Sequence, residues 1–595
     1  MADLSHPPVE GVYVRAKSRR SEEEMAGMAG DSAHDDGYYD LGSYTWPVTT
    51  WDPEAQRWFD RGMAWCYGFN HDEAIACFER ALDCDPGLAM AHWGIAYAIG
   101  PNYNKPWEDF DEDDLRQSID RALAALAAAT EAAEASAAGV TGIEPALIGA
   151  LAQRFPASGG DPSGPDDFTA WNDAYADAMR AVHRAHPDDL DVCALFAEAV
   201  MNRTPWALWD LVTGEPAEGA GTVEAAEVLE AAFADLDAVG AGRHPGLLHM
   251  YVHLMEMSPH PERALKAGDT LVDLIPDAGH LVHMPTHIDV LCGHYQSVVA
   301  RNHAAVVADR RYLAHEGSAN FYTLYRCHNY HFKAYGAMFL GQYGPAAEAA
   351  DEMIRTLPAG LLGPDDAPLA DWLEGFVPVK QHVLIRFGKW QEILDQPLPD
   401  DADLYCVTTA MMRYARAVAY ASTERVDEAV AEQQAFMSAR DRVPESRMLF
   451  NNTCLDILAV AEAMMTGEVE YRQGNFDVAF SHLDRAVELD DNLPYDEPWG
   501  WMQPTRHALG ALLMEQGRLD EAEAAYRADL GLDGQLRRAC WHPDNVWSLH
   551  GLHECLTRRG ETVEANHIKQ RLDMAQARAD VPIESSCYCR LERAA

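Results

Sequence analysis

An all-α solenoid of right-handed, stacked helix–turn–helix repeats is the fold this 595-residue sequence predicts. Three observations carry that expectation. Small, large and proline residues recur at fixed offsets near residue 60, a Gly-x-aromatic turn returns along the chain, and strand signals are nearly absent. Hydrophobic residues make up 48% of the chain, which is ample for a packed core and outside the composition of disordered chains.

The first unit sets the pattern. Trp58, Gly62, Trp65, Ala74, Phe78, Ala81 and Pro86 fall at positions 4, 8, 11, 20, 24, 27 and 32 of a tetratricopeptide repeat. Small residues at 8 and 20 let two antiparallel helices approach, large ones at 4, 11 and 24 fill the gap, and proline ends the second helix. Trp65 replaces the usual Tyr and Arg61 the usual Leu. The turn and second helix recur at Gly293-His-Tyr295, Gly341-Gln-Tyr343 with Ala346, Gly388-Lys-Trp390, Gly474-Asn-Phe476 with Ala479 and Ala486, and Gly517 with Ala522 and Tyr526. Because one helical pair cannot bury its apolar face alone, neighbours stack around a continuous core.

The resulting plan is a disordered, acidic segment over 1–45, a TPR-like α-solenoid over 46–578, and a tail over 579–595. The solenoid divides into N-terminal repeats (46–210), His-rich central repeats (222–360) and C-terminal repeats (361–578). Inserts interrupt it around Ala157–Pro165 and Gly214–Gly221.

Charge excludes some partners. There are 46 basic against 95 acidic side chains, for a net charge of −49, and no basic stripe offsets it, so a nucleic-acid partner is not expected. No run of 18 apolar residues exists, and the first 45 residues lack an apolar leader core, so no membrane association is expected. The cysteines, Cys66, Cys77, Cys84, Cys193 and Cys292 among them, are scattered without disulfide-framework spacing, which fits a reducing cytoplasm, the terminal Cys587-Tyr588-Cys589 being the exception.

Histidine is the informative residue. His249 and His253 fall at positions 5 and 9 of one unit, and His283 and His287 at 5 and 9 of the next, 34 residues on in both cases. Glu256 sits at position 12 and His280 at position 2, while His328 and His331 take positions 2 and 5 of the following unit, with Tyr335 at 9. Positions 2, 5, 9 and 12 share one helical stripe, which faces the concave groove in such repeats. Packed helix axes lie about 8–10 Å apart, so seven imidazoles and one carboxylate are expected to converge. A lone groove histidine is ordinarily a polar surface residue. Clustered, these groups are transition-metal ligands, since bunched imidazoles without an ion suppress one another's protonation at a desolvation cost.

The donor set argues against Mg²⁺ and Ca²⁺, which take oxygen ligands, and leaves copper, zinc and iron, with copper favoured. Two ions with three nitrogen ligands each is one arrangement the count allows. The other is a single His/His/Glu site with the remaining histidines around it. Glu256 is the candidate catalytic residue, as ligand or proton shuttle.

Several further residues carry expectations. Pro285 removes a helical hydrogen bond, so the helix is expected to start or kink there. Cys587 and Cys589 are candidate soft-metal ligands on a short tail, or part of a frayed end. His382, His507 and His550 share the groove register and are expected to be solvated or to touch substrate. Asn70 and His71 are expected to cap a turn, Gly100–Asn104 to form a loop, and Tyr495–Trp501 to pack in the core or wall a pocket.

The motifs Phe69-Asn-His with Ala74, Gly100-Pro-Asn-x-Asn104, His249-x-Tyr-x-His253-x2-Glu256, Gly279-His-Leu-Val-His-Met-Pro-Thr-His-Ile288, His328-Asn-Tyr-His-Phe332 and Ser586-Cys-Tyr-Cys589 span nearly the whole chain. At these residues the sequence resembles a family of large bacterial tetratricopeptide-repeat proteins, and the resemblance implies a shared metal-type site without naming a substrate. The leading functional expectation is a metal-dependent enzyme, oxidative more than hydrolytic, acting on a small-molecule or peptide substrate in the groove. The alternatives are a scaffold that binds a protein partner and a metal store or sensor. The histidine-lined groove and few basic residues make an acidic peptide a poor ligand for the scaffold.

Overall fold

The computed structural model describes residues 37–136, 139–140, 142–155, 165–239, 243–362 and 367–591. Residues 1–36 of the expected N-terminal segment, and all of the 157–165 insert except residue 165, lie outside them. The fold is all-α and tetratricopeptide-like, and the only strands among the described residues are the short pair Met448–Leu449 (β1) and Asn452–Thr453 (β2). Contacts divide the chain into two compact units. Unit 1 comprises Met1–Ser258, Arg263–Pro285 and Val307–Arg311, and unit 2 comprises Pro259–Glu262, Thr286–Val306 and Tyr312–Ala595.

Unit 1 opens with Pro53–Tyr67 (α1), His71–Cys84 (α2), Ala89–Ile99 (α3) and Glu112–Ala135 (α4). Asp52 caps α1 by accepting from the Glu54 backbone N–H at 2.7 Å, with Pro53 in the first turn. The small-residue rule is visible as geometry: a Cβ added at Gly62 on α1 or Gly94 on α3 would meet the Phe78 ring at 2.4 and 2.6 Å. Phe78 therefore wedges into a space that only glycine leaves open. The unit continues through Ile143–Leu151 (α5), Pro165–Ala185 (α6), Leu190–Met201 (α7), Thr222–Val239 (α8), Pro245–Glu256 (α9), Leu265–Leu271 (α10) and Gly279–His283 (α11). Every residue of α9 and α11 is buried.

The packed chain begins earlier than residue 46. Tyr39, Leu41 and Trp46 are buried, Tyr38 and Tyr39 pack edge-on against Trp58 and Trp65, and the Asp40 N–H donates to Asp277. The expected boundary of the N-terminal segment is corrected accordingly: aromatic burial recruits residues 37–45 into the unit.

Pro285 begins the next helix, Pro285–Leu291 (α12), directly after a one-residue break at Met284. Unit 2 then runs through Tyr295–Glu316 (α13, except Val307–Arg311, which belong to unit 1), Tyr322–Leu340 (α14), Tyr343–Arg355 (α15), Ala367–Leu373 (α16), Val379–Arg386 (α17), Trp390–Asp395 (α18), Cys406–Ser422 (α19) and Val426–Arg440 (α20). It ends with Cys454–Arg472 (α21), Phe476–Asp491 (α22), Thr505–Glu515 (α23), Leu519–Asp529 (α24), Val546–Arg559 (α25) and Thr562–Gln576 (α26). The wedge recurs here, with Tyr526 filling the space beside Gly510 on α23 and Gly551 on α25.

Candidate metal centre

In unit 1 the stripe logic brings α9 and α11 together. His249 and His253 lie one turn apart on α9, and His280 reaches them from α11, so that one ring nitrogen of each lies within 4.8 Å of the other two. Nitrogens sharing one tetrahedral ion at about 2.0 Å stand about 3.3 Å apart, so the set could hold an ion after modest side-chain movement. All three imidazoles are buried, at 0–1% exposure. This corrects the expected groove surface: the loops carrying Tyr103 and Trp206 cover His253, whose ring lies 4.7 and 5.9 Å from theirs.

The imidazoles are oriented from behind. His249 Nδ1 donates to the Tyr67 carbonyl at 2.7 Å, and His253 Nδ1 donates to Glu256 Oε1 at 2.9 Å. A carbonyl can only accept, so the proton sits on Nδ1 of His249, and the lone pair sits on Nε2. The same reasoning assigns Nδ1–H to His253 facing a carboxylate. Carboxylate or carbonyl behind imidazole is the arrangement that fixes tautomer and ring direction in metal-binding histidines. Glu256 thus stands behind His253. His283 lies beside the group, its ring centroid 5.9 Å from that of His280.

Phe69, which carries no metal-binding group, covers the cluster. Its ring stacks on His253 (5.8 Å, 16°) and His280 (5.4 Å, 25°) and tilts against His249 at 4.5 Å. Its backbone is left-handed, with φ of 55°. Position 15 of the repeat, which Phe69 occupies, holds glycine with positive φ at Gly293, Gly341, Gly388, Gly474, Gly517 and Gly560. Among the described residues five non-glycines have positive φ, and three of them are aromatic rings lying against candidate ligands: Phe69, Trp206 (φ 56°) and Phe450 (φ 48°). A bulky residue in this region costs roughly 1–2 kcal/mol, and such strain concentrates at functional sites.

In unit 2, His287 on α12 and His328 on α14 approach with Nε2 atoms 3.4 Å apart. Glu497 stands behind His287, its Oε2 2.5 Å from Nδ1. Burial pushes the Glu497 carboxyl well above the usual range, with the Tyr495 hydroxyl bond acting the other way. Phe450, at the tip of the β1–β2 hairpin, packs edge-on against His328 at 4.9 Å. His331 turns elsewhere, with Nε2 3.0 Å from Met502 Sδ.

His382 and His507 are buried at 4% and 2%, which corrects their expected solvation, and His550 is half-buried. His507 lies between Asp529, 3.0 Å from Nε2, and Arg386, which donates to Nδ1 at 2.8 Å. Asn70 caps α2 by accepting from the Glu73 N–H, whereas the His71 ring reaches the Ala98 carbonyl instead. Asn102 Oδ1 accepts from Asn104 and Lys105 in an Asx turn. Tyr495, Trp499 and Trp501 are buried.

The C-terminal tail is packed rather than frayed. Ser585, Ser586, Cys589 and Arg590 are buried, and Arg590 forms a two-pronged pair with Glu554 at 2.8 and 3.0 Å. Cys587 and Cys589 are joined as a disulfide, and neither belongs to a metal-type group among the described residues. With both sulfurs in a covalent bond, they offer no thiolate to an ion.

Comparison with known proteins agrees with the repeat. The tetratricopeptide repeat model matches residues 55–88. No curated protein matches the chain. The crystal structure of yeast Tom70 aligns at 11% identity with a TM-score of 0.27, over 85% of this chain and 96% of that one. The APC/C hetero-tetramer Cut9-Hcn1 aligns at 12% identity with a TM-score of 0.21, over 88% and 96%. Neither likeness bears on what this chain binds. No described helix is long and apolar enough to cross a membrane.

Proposed function

We propose that this chain is a metal-binding repeat protein whose centre in unit 1 consists of His249, His253 and His280, and that it works as a metal-dependent oxidative enzyme with copper the favoured ion. The observation that carries the reading is the convergence of three buried imidazole nitrogens within 4.8 Å. Three imidazoles suit copper, zinc or iron and leave a fourth position, which is the ligand count of a reactive rather than a structural site. A metal held there supplies redox or Lewis-acid chemistry. The chain's own contribution is positional. Tyr67 and Glu256 aim the imidazoles, Phe69, Tyr103 and Trp206 exclude water, and Glu256 can take or return the proton on His253 Nδ1.

Elemental analysis of untagged protein tests the metal: a transition metal is expected, and His253→Ala/His280→Ala should remove it from this centre. An unchanged metal content defeats the assignment. The full burial of His249 and His253 favours a second reading, a closed metal store without turnover. Dioxygen consumption by the loaded protein separates the two. Capture of a protein partner by metal-free protein would support a scaffold instead.

A further inference from the structure

A cavity lies inside unit 2, and its walls are chemically unlike the histidine cluster of unit 1. His331 from α14, His382 from α17, Met411 from α19, Cys454 from the start of α21 and Met502 from the loop after α22 all line it. Two imidazoles, two thioethers and a thiol therefore line one small cavity. We propose that this cavity is a separate soft-metal site for copper(I), with His331, His382 and Met502 as its ligands.

Three observations support the choice. First, His331 Nε2 and Met502 Sδ stand 3.0 Å apart. Two donors on one ion span about 3–4 Å when the metal–nitrogen distance is about 2.0 Å and the metal–sulfur distance about 2.3 Å, so this pair has the bite of a chelate. Second, His331 and His382 are 2% and 4% exposed, and Nδ1 of each has no hydrogen-bond partner among the described residues. A buried polar atom left so costs about 1–3 kcal/mol, and fold stability alone would favour leucine or phenylalanine at both positions. Third, the rings are held by aromatic edges: Phe376 meets His331 at 5.5 Å and 87°, and Trp501 meets His382 at 4.9 Å and 82°. Gln503 anchors the Met502 loop by donating to the His382 carbonyl at 2.8 Å.

The donor chemistry selects the ion. Thioether sulfur is a poor ligand for magnesium, calcium or zinc and a good one for copper(I), and imidazole serves as its partner. Both rings are buried, and burial favours the neutral imidazole, whose lone pair binds a metal. A monovalent ion among neutral ligands carries the smallest charge into the interior, which limits the desolvation cost. Cys454 and Met411 complete a soft lining, which disfavours hard competitors.

The test uses the full-length chain carrying His253→Ala/His280→Ala, so that the first centre does not contribute. Copper(I) is added anaerobically in competition with bicinchoninate. The expected result is retention of about one equivalent, lost when Met502→Leu and His382→Gln are added to that background. Met502→Leu conserves volume, and circular dichroism without metal checks that the fold persists. Copper K-edge absorption on the copper-loaded natural sequence is the second measurement, which needs no substitution, and a sulfur shell is expected. No retention in the background variant, retention unaffected by the added substitutions, or a nitrogen and oxygen shell without sulfur would each overturn the proposal. Loss of the first centre is read independently, as metal released by His253→Ala/His280→Ala with the sulfur-ligated ion still in place.

Discussion

Phe69 stacks on His253, ring centroids 5.8 Å apart and planes 16° from parallel, from a left-handed backbone position that six other repeats fill with glycine. The ring is thus retained at a backbone cost. That trade yields a sign that ordinary packing does not. Losing a buried phenylalanine costs about 3–5 kcal/mol, but glycine relieves a positive-φ strain that alanine keeps. Phe69→Gly should therefore be more stable than Phe69→Ala by about 1 kcal/mol, the reverse of the usual order. Denaturant unfolding of both variants checks this; alanine above glycine would show that the turn has relaxed.

Glu256 acts through His253, and its removal should weaken metal binding without deleting a ligand. Glu256→Gln keeps the volume and an acceptor oxygen but removes the charge that makes the imidazole more basic. Loss of such a partner typically costs about 10–100-fold in affinity. Chelator competition on the loaded protein should show that drop with His249, His253 and His280 all intact. An unchanged affinity would mean that Glu256 only fills space.

The repeat was legible because it is local. Gly62 and Phe78 lie half a repeat apart, and their contact needs only the helical hairpin that the sequence already implies. The 34-residue offset between His249 and His283 likewise pairs the helix of His249 and His253 with the helix that also carries His280. What covers and backs the sites was not legible. Phe69 and Trp206 come from a turn and a long loop, and no periodicity places such segments. Glu497 and Met502 reach His287 and His331 from well over a hundred residues away, on an aromatic loop that read equally well as core. Burial escapes the pattern for the same reason: the register gives the face of a helix, whereas the loops decide whether that face sees water.

His71 gives a pH dependence. Burial holds its imidazole down to about 4, with Arg154 and Lys105 adding to the effect and the Ala98 carbonyl opposing it. In the unfolded chain the ring titrates near 6.5. Above that value both states are neutral and stability is flat; below it the unfolded state alone takes up the proton, so stability falls from about pH 6.5 to about pH 4. A single group of this kind contributes a slope of about 1 kcal/mol per pH unit. Urea unfolding across that range, followed by tryptophan fluorescence, should show a shallower slope in His71→Gln than in the natural sequence. Identical slopes would place the ring in water.

The tail contributes to the stability of unit 2. Asp580 accepts from the backbone N–H groups of Tyr343 and Gly344 at 2.6 and 2.8 Å, so it caps α15 from a distant point in the sequence. Ser586 Oγ donates to the His507 carbonyl at 3.0 Å, and Tyr588 closes over Gly388, where an added Cβ would lie 3.0 Å from the tyrosine Cβ. A lost helix cap costs about 1 kcal/mol, so Asp580→Ala should lower the thermal midpoint by a few degrees, and removing residues 580–595 should lower it further. Cys587→Ser/Cys589→Ser should leave the copper or other metal held by His249, His253 and His280 unchanged, because both sulfurs are already bonded to each other. Metal analysis of the double serine variant decides the point: a fall in content would place the thiols, in their reduced form, among the ligands after all.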